Sequence, residues 1–267
     1  MQRKSQIMDK SSIGDRMKRH EEATRYILPA RTYTIVRVDG KNFSGFTKQC
    51  TKPFDYELIN AMEAAAKYMF ENISGTILTY QQSDEISVVL QDFKSHNTEP
   101  WMGGVVQKQA SIAASMATMA FNAHWLEGYS RRNTAMFDAR AFTISDSYEV
   151  KNYLIWRQQD ATRNAINMAA SANFSHKSLH GMTSNQRQEK LFNEANINFN
   201  DYPTRAKRGS CVVREEFLGP VTYTDRRTGE EVTLTDRLQS RTKIDHEIPI
   251  FTSEEAEEYL HGRIGIA

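Results

Sequence analysis

Four short β-branched, apolar runs at 33–38, 76–80, 86–90 and 135–144 alternate with two helical patterns, and this order restricts the topology more than any other feature of the chain. Between the first two runs, Leu58, Met62, Ala65 and Met69 recur at helical spacing, with Ile59, Ala66 and Phe70 alongside and Asp55 placed as a cap. Between the last two, Gly103 and Gly104 open an alanine- and methionine-rich stretch to Trp125, expected to be a largely buried helix with Met116 and Met119 in its core. Strand, helix, strand, strand, helix, strand is the order of a ferredoxin-like α+β unit. In it the first and second strands run parallel through a helical crossover, and the third lies between them, antiparallel. The end of the first strand then sits beside the start of the third. Asp39 ends the first run and Asp84 precedes the third, so two acids distant in sequence meet at one edge of an antiparallel sheet.

Beyond residue 145 the pattern is helical, over 153–174 and 186–195, with Thr183 or Ser184 placed to cap the second segment. Near the end, Val221-Thr222-Tyr223 and Val232-Thr233-Leu234 flank Thr228-Gly229, a hairpin signal. The expected parts are a catalytic half at 1–145, a helical lobe packed on it at 146–214, and a hairpin and tail at 215–267. No linker separates them, so they form one structural unit.

Charge narrows the function. The 34 basic and 33 acidic side chains leave a net charge of +1, which excludes holding nucleic acid by bulk charge; a polyanion would need a local patch. The two cysteines, Cys50 and Cys211, form no Cys-x-x-Cys, so neither a disulfide framework nor a thiolate zinc site is expected. No apolar run approaches the roughly 18 residues of a membrane span, and the polar start is unlike a secretory signal. A reducing cytoplasm is the expected location.

Two carboxylates forced together either take up a proton or hold a cation between them. Magnesium prefers hard oxygen ligands and is held by one or two carboxylates plus substrate phosphates. Two such ions can clamp the attacking and leaving oxygens of a phosphoryl transfer. Asp39, Asp84 and Glu85 fit that role, although Ser83-Asp84-Glu85 also suits an ordinary polar turn. After Asp39, the segment Gly40, Lys41, Asn42, Phe43, Ser44, Gly45 and Phe46 can turn successive backbone N–H groups inward as a phosphate nest. It is not a Gly-x-x-x-x-Gly-Lys loop, and on composition alone a solvated basic loop is the favoured reading.

Taken in order, Val38-Asp39-Gly40-Lys41-Asn42-Phe43 and Gln82-Ser83-Asp84-Glu85 resemble the signature of the tRNA-histidine guanylyltransferase family, which includes the Thg1-like proteins. Gly14-Asp15-Arg16-Met17-Lys18, Lys52-Pro53 with Asp55, Phe137-Asp138-Ala139-Arg140, Trp156-Arg157-Gln158 with Asp160, and Arg208-Gly209 extend the resemblance over about residues 12–209. It implies a polymerase-type palm that adds nucleotides to RNA in the 3′–5′ direction, usually as a homotetramer. Asp39, the Gly40 carbonyl and Asp84 would ligate two Mg2+ ions. The backbone from Gly40 through Lys41, Asn42 and Phe43 to Ser44 would hold the triphosphate of ATP or GTP, with Lys108 reaching a phosphate. Lys52 and Asp55 would lie near the base, and Ser83 beside the metals. The partner would be the 5′ end of tRNA or a similar RNA.

One motif departs from the family. Where the eukaryotic enzymes read His-Ile-Asn-Asn-Leu-Tyr-Asn, this chain has Thr162-Arg163-Asn164-Ala165-Ile166-Asn167-Met168. The lost histidine favours template-dependent 5′-end repair over non-templated guanylate addition to histidine tRNA. A palm-type nucleotide cyclase and a catalytically silent RNA-binding protein are the competing classes. Arg205, Lys207, Arg208 and Arg214 form a cationic cluster suited to RNA phosphates, with Arg131-Arg132 a weaker case. His176 and His180 have metal-pair spacing but no third ligand, which makes them a polar surface pair.

Overall fold

The computed structural model describes residues 12–127 and 133–265; Arg131 and Arg132 lie outside them. In chain order the elements are α1 (Ser12–Glu22), β1 (Tyr33–Gly40), α2 (Phe43–Phe46), α3 (Tyr56–Asn72), β2 (Thr76–Gln82), β3 (Glu85–Gln91), α4 (Val106–Leu126) and β4 (Phe137–Ile144). There follow α5 (Ser147–Asn173), α6 (His176–Leu179), α7 (Ser184–Ala195), α8 (Thr204–Arg208), β5 (Ser210–Thr224), β6 (Glu231–Asp245) and α9 (Glu254–Ile264). The sheet is six-stranded and antiparallel, in the order β4-β1-β3-β2-β5-β6. β3 separates β1 from β2, as the strand–helix pattern requires.

Local chemistry sets most element ends. Asp55 starts α3 by accepting the Leu58 N–H at 3.1 Å. Thr183, rather than Ser184, caps α7, in a reciprocal capping box with Gln186. β1 and β3 bury apolar side chains on both faces because both faces are covered, with Arg37, Glu85 and Ser87 among the polar exceptions. On one side α3 and α4 pack against Val36, Val38, Ile86 and Val88. On the other, α5 and α9 pack against Ile35, Leu78, Tyr80 and Val89. A third cluster joins Phe54 to Ala165, Ala169, Leu191 and Phe199, which fixes α5, α7 and the entry to α3 together.

Three expectations change. First, α4 is not largely buried. Only the stripe Gln109, Ala113, Ala117, Phe121 and Trp125 faces the sheet. Met116 packs partly against the core, whereas Met119 is 52% exposed, because a helix laid across a sheet buries one side. Second, β2 and β3 run on to Gln82 and from Glu85, and only Ser83 and Asp84 form the turn. Ser83 takes a left-handed φ of 49°, so Asp84 stands at the tip of a tight hairpin. Third, the terminal hairpin is far longer than its turn signal suggests. β5 begins at Ser210, pairs with β2 through Val212 and Cys211, and continues with β6 as a two-stranded ribbon.

Candidate active site

β1 carries Asp39 to the sheet edge, where it is paired with Glu85 of β3. The Gly40 N–H donates to the Asp84 carbonyl at 3.1 Å, which ties the end of β1 to the hairpin tip. The Ser83 hydroxyl donates to Asp84 Oδ1 at 3.1 Å. Asp39, Ser83 and Asp84 therefore share one wall of a 390 Å³ cleft, opposite Trp156, Asp160 and Asn164 of α5. Burial pushes the Asp84 carboxyl from an ordinary 3.8 up to about 6, and the charge of Asp39 adds to the rise.

Glu85 plays a different part from its neighbours. Arg157 Nε donates to its Oε1 at 2.7 Å and Arg157 Nη2 to its Oε2 at 2.7 Å. Arg37 lies 3.8 Å away, and the Ser87 hydroxyl donates at 3.4 Å. Burial raises the Glu85 pKa against the opposing pull of Arg157 and Arg37. Its carboxylate is thus committed to the protein, and Glu85 anchors α5 to the hairpin behind the Asp39–Asp84 pair. Arg157 also reaches Asp160 at 3.1 Å, and the Asn164 amide donates to Asp160 at 3.4 Å. Arg157, Asp160 and Asn164 recur every three or four residues, so they form one polar face of α5; that periodicity was the available sequence signal for them.

The turn after Asp39 is held from below. Phe43 is buried, with its ring 4.9 Å from Phe46, 5.5 Å from Phe137 and 5.9 Å from Phe121. Gly40 permits this, since a Cβ there would lie 2.2 Å from the Phe43 ring. Asn42 turns the chain with a φ of 53°. Lys41, Asn42 and Ser44 are exposed, and the first-turn N–H groups of Phe43 and Ser44 have no intrahelical carbonyl to bond.

A narrow slot of 60 Å³ adjoins the cleft and shares Gln82, Ser83 and Asn164 with it. Its other walls include Leu58, Ile59, Ala161, Ala165 and Met168. Asp55 lines it, but both carboxylate oxygens accept backbone N–H groups, from Thr51 and Leu58, so it shapes the slot. Lys52 donates to the Thr47 carbonyl at 3.0 Å and is otherwise exposed.

The remaining expected residues lie elsewhere. Lys108 is in the first turn of α4, whereas Phe121, which packs on Phe43, comes thirteen residues later, about 20 Å along the axis at ~1.5 Å per residue. Within one chain Lys108 therefore lies far from the turn at residues 40–44. Lys207 is only 8% exposed, with Nζ donating to the Asn200 carbonyl at 2.5 Å; burial lowers its pKa, and Arg208 lowers it further. Arg205 pairs with the buried Glu63 at 3.1 Å and bonds Asn60 at 2.9 Å. Lys207 and Arg205 are therefore structural cations, which leaves Arg208 partly exposed and Arg214 exposed. His176 and His180 are exposed, with ring centroids 6.4 Å apart.

Among the described residues no group of three or more His, Cys, Asp and Glu side chains converges as a metal site. Two carboxylates and the Gly40 carbonyl are still the hard-oxygen set that magnesium accepts when substrate phosphates complete its shell. Burial raises Asp84 first and the charge of Asp39 adds to it, and a cation there would offset both. A cleft of this size with that donor set suits phosphoryl chemistry on a nucleotide-sized substrate. The chain belongs to the tRNAHis guanylyltransferase (Thg1) family: that family model matches residues 14–145, and the Thg1 C terminal domain model matches residues 148–250. The tRNA(His) guanylyltransferase of Saccharomyces cerevisiae is 32% identical over 215 residues, covering 74% of this chain and 88% of that protein. A bacterial Thg1-like protein solved in complex with ATP superposes with a TM-score of 0.82 at 43% identity, covering 95% of this chain and 99% of that one. A bacterial Thg1-like protein in complex with GTP gives 0.78 at 39% identity, covering 96% and 100%.

Proposed function

We propose that the cleft between β1, the β2–β3 hairpin and α5 adds nucleotides to the 5′ end of a tRNA or tRNA-like RNA, in the 3′–5′ direction and under the direction of a template. The observation that carries this is the Asp39–Asp84 pair at one sheet edge, next to the Gly40 turn, in a chain of this family. The strand order supports a ferredoxin-like, polymerase-type palm.

Asp39, Asp84 and the Gly40 carbonyl would hold the magnesium, which supplies charge neutralisation at the reacting phosphoryl oxygens. Ser83 orients Asp84 through its hydroxyl. Glu85 keeps the hairpin and α5 in register through Arg157. Gly40, Lys41, Asn42, Phe43 and Ser44 would receive the triphosphate, and the slot behind Gln82 the base. In the reaction the 5′-monophosphate end attacks the α-phosphorus of ATP or GTP and releases pyrophosphate, and the 3′-hydroxyl of the incoming nucleotide then attacks the phosphorus of that activated end and expels the nucleoside monophosphate. Positioning and charge stabilisation carry most of such a transfer. ATP and GTP complexes of the bacterial relatives support either triphosphate.

Ile112, Met119 and Leu126, seven residues apart on the outer side of α4, are exposed, as are Met136 and Ile27, which supports self-association; that it is a homotetramer rests on the family resemblance alone. No helix among the described residues is long and apolar enough to cross a membrane.

The test is single-turnover incubation of the protein with each labelled triphosphate and tRNAs truncated at the 5′ end, with each base in turn opposite the gap. Addition should follow the complement of the template base and prefer truncated tRNA to full-length tRNA. Guanine preference opposite every base, or faster addition to full-length histidine tRNA, would restore guanylyltransfer as the role. Triphosphate turnover without RNA would make the protein a cyclase, and no turnover at all a silent binder.

A further inference from the structure

Gln82 is the last residue of β2, 4% exposed, and lines both the carboxylate cleft and the adjoining slot. Its Oε1 is shut off from solvent and meets no hydrogen-bond donor among the described residues. Its neighbour Gln81 shows the contrast: Nε2 donates to the Ser83 carbonyl at 3.0 Å, and Oε1 accepts from the Ser210 hydroxyl at 3.3 Å. A buried polar atom without a partner is disfavoured and rare, and calls for an explanation. Gly209 closes the same corner, since its φ is 86° and a Cβ there would lie 2.2 Å from the Gln81 carbonyl oxygen.

We propose that Gln82 is a specificity-determining residue: its carboxamide hydrogen-bonds the purine edge of the nucleotide whose phosphates lie at Asp39 and Asp84. This rests on the nucleotide assignment of the cleft made above. Gln82 stands where the cleft passes into the slot, and apolar side chains from Leu58, Ile59, Ala165 and Met168 flank the path a flat ring would take. A carboxamide carries one acceptor and one donor group, and no hydrogen bond from the protein to Oε1 fixes which of the two points inward. Turned one way it suits adenine, with a ring acceptor beside an amino donor. Turned the other way it suits guanine, with a ring donor beside a carbonyl. The same residue thus admits ATP and GTP.

The experiment measures dissociation constants for ATP, GTP and inorganic tripolyphosphate, with magnesium present and no RNA, for the parent, Gln82→Glu and Gln82→Leu. Measured at pH 9, where a crowded carboxyl is ionised and only accepts, Gln82→Glu should shift the GTP-over-ATP preference toward GTP at least about tenfold, the scale of one good base contact. The added charge weakens all three ligands alike, so the ratio is the readout. Gln82→Leu should weaken ATP and GTP by similar factors and leave tripolyphosphate within about twofold. A melting temperature near the parent's shows that each variant is folded, and the two variants fail independently. If the parent binds both nucleotides but Gln82→Glu keeps the parental ratio, or Gln82→Leu loses tripolyphosphate as strongly as ATP, Gln82 does not read the base. If the parent binds tripolyphosphate but neither nucleotide, the nucleotide assignment falls and this one with it.

Discussion

Arg157 on α5 grips Glu85 on β3 through two hydrogen bonds of 2.7 Å, one to each carboxylate oxygen. Both side chains are under 10% exposed, and Glu85 adjoins Asp84 at the hairpin tip. α5 and the sheet edge that carries Asp39 and Asp84 are coupled at this pair. Removing one partner of a buried ion pair leaves an uncompensated charge, typically at a cost of about 3–5 kcal/mol. Arg157→Met should therefore destabilise the protein by that order. Glu85→Leu combined with Arg157→Met should recover most of the loss. Urea denaturation of the two single variants and the double one decides this: additive losses would show that the pair is not energetically coupled.

Asp84 predicts a pH dependence. Its carboxyl is raised from 3.8 to about 6, so folding favours its neutral form. That favourable contribution is fully present below about pH 4 and is lost as pH rises through about 6. Asp84→Asn, which cannot ionise, should thus be more stable than the parent at pH 7 without magnesium, with the difference vanishing near pH 4. A difference that grows on acidification would show that Asp84 is not crowded in its ionised form.

Asp39→Ala and Asp84→Ala should each abolish nucleotide addition while leaving the fold intact. The measurement is single-turnover addition at saturating magnesium, alongside the far-UV spectrum. Near-normal turnover in either variant would remove that residue from the metal set.

Lys207 and Arg208 should separate cleanly. Lys207→Ala removes a buried ammonium bonded to the Asn200 carbonyl, so it should lower stability and leave RNA affinity near the parent's. Arg208→Ala should weaken RNA binding and reduce the slope of log K against log salt by about 0.7, the value for one phosphate contact on a single strand. Filter binding across a salt series, paired with thermal melts, tests both; the reverse pattern would restore Lys207 as the RNA contact.

The alternation of β-branched runs with helical spacing determined the strand order, because strand period, helix period and crossover rules act within a few tens of residues. From that order alone Asp39 and Asp84 came together, and the caps Asp55 and Thr183 were legible because a cap bonds an N–H only three residues away. What a polar group does once buried was settled only by tertiary packing. Glu85 resembled Asp84 in sequence, yet its partner lies 72 residues further along, on a helix packed over the sheet. Lys207 belonged by composition to a basic patch, but the close packing of α8 turned it inward to Asn200. Family resemblance places Lys108 at a nucleotide phosphate, whereas the direction of α4 carries it to the end of the helix away from Phe121 and the turn at residues 40–44. Gln82 resembles its neighbour Gln81, yet packing satisfies the Oε1 of Gln81 and leaves that of Gln82 buried without a donor among the described residues. Partners of buried polar groups come from elements distant in sequence, so no local pattern encodes them, and much of this site's chemistry rests on such partners.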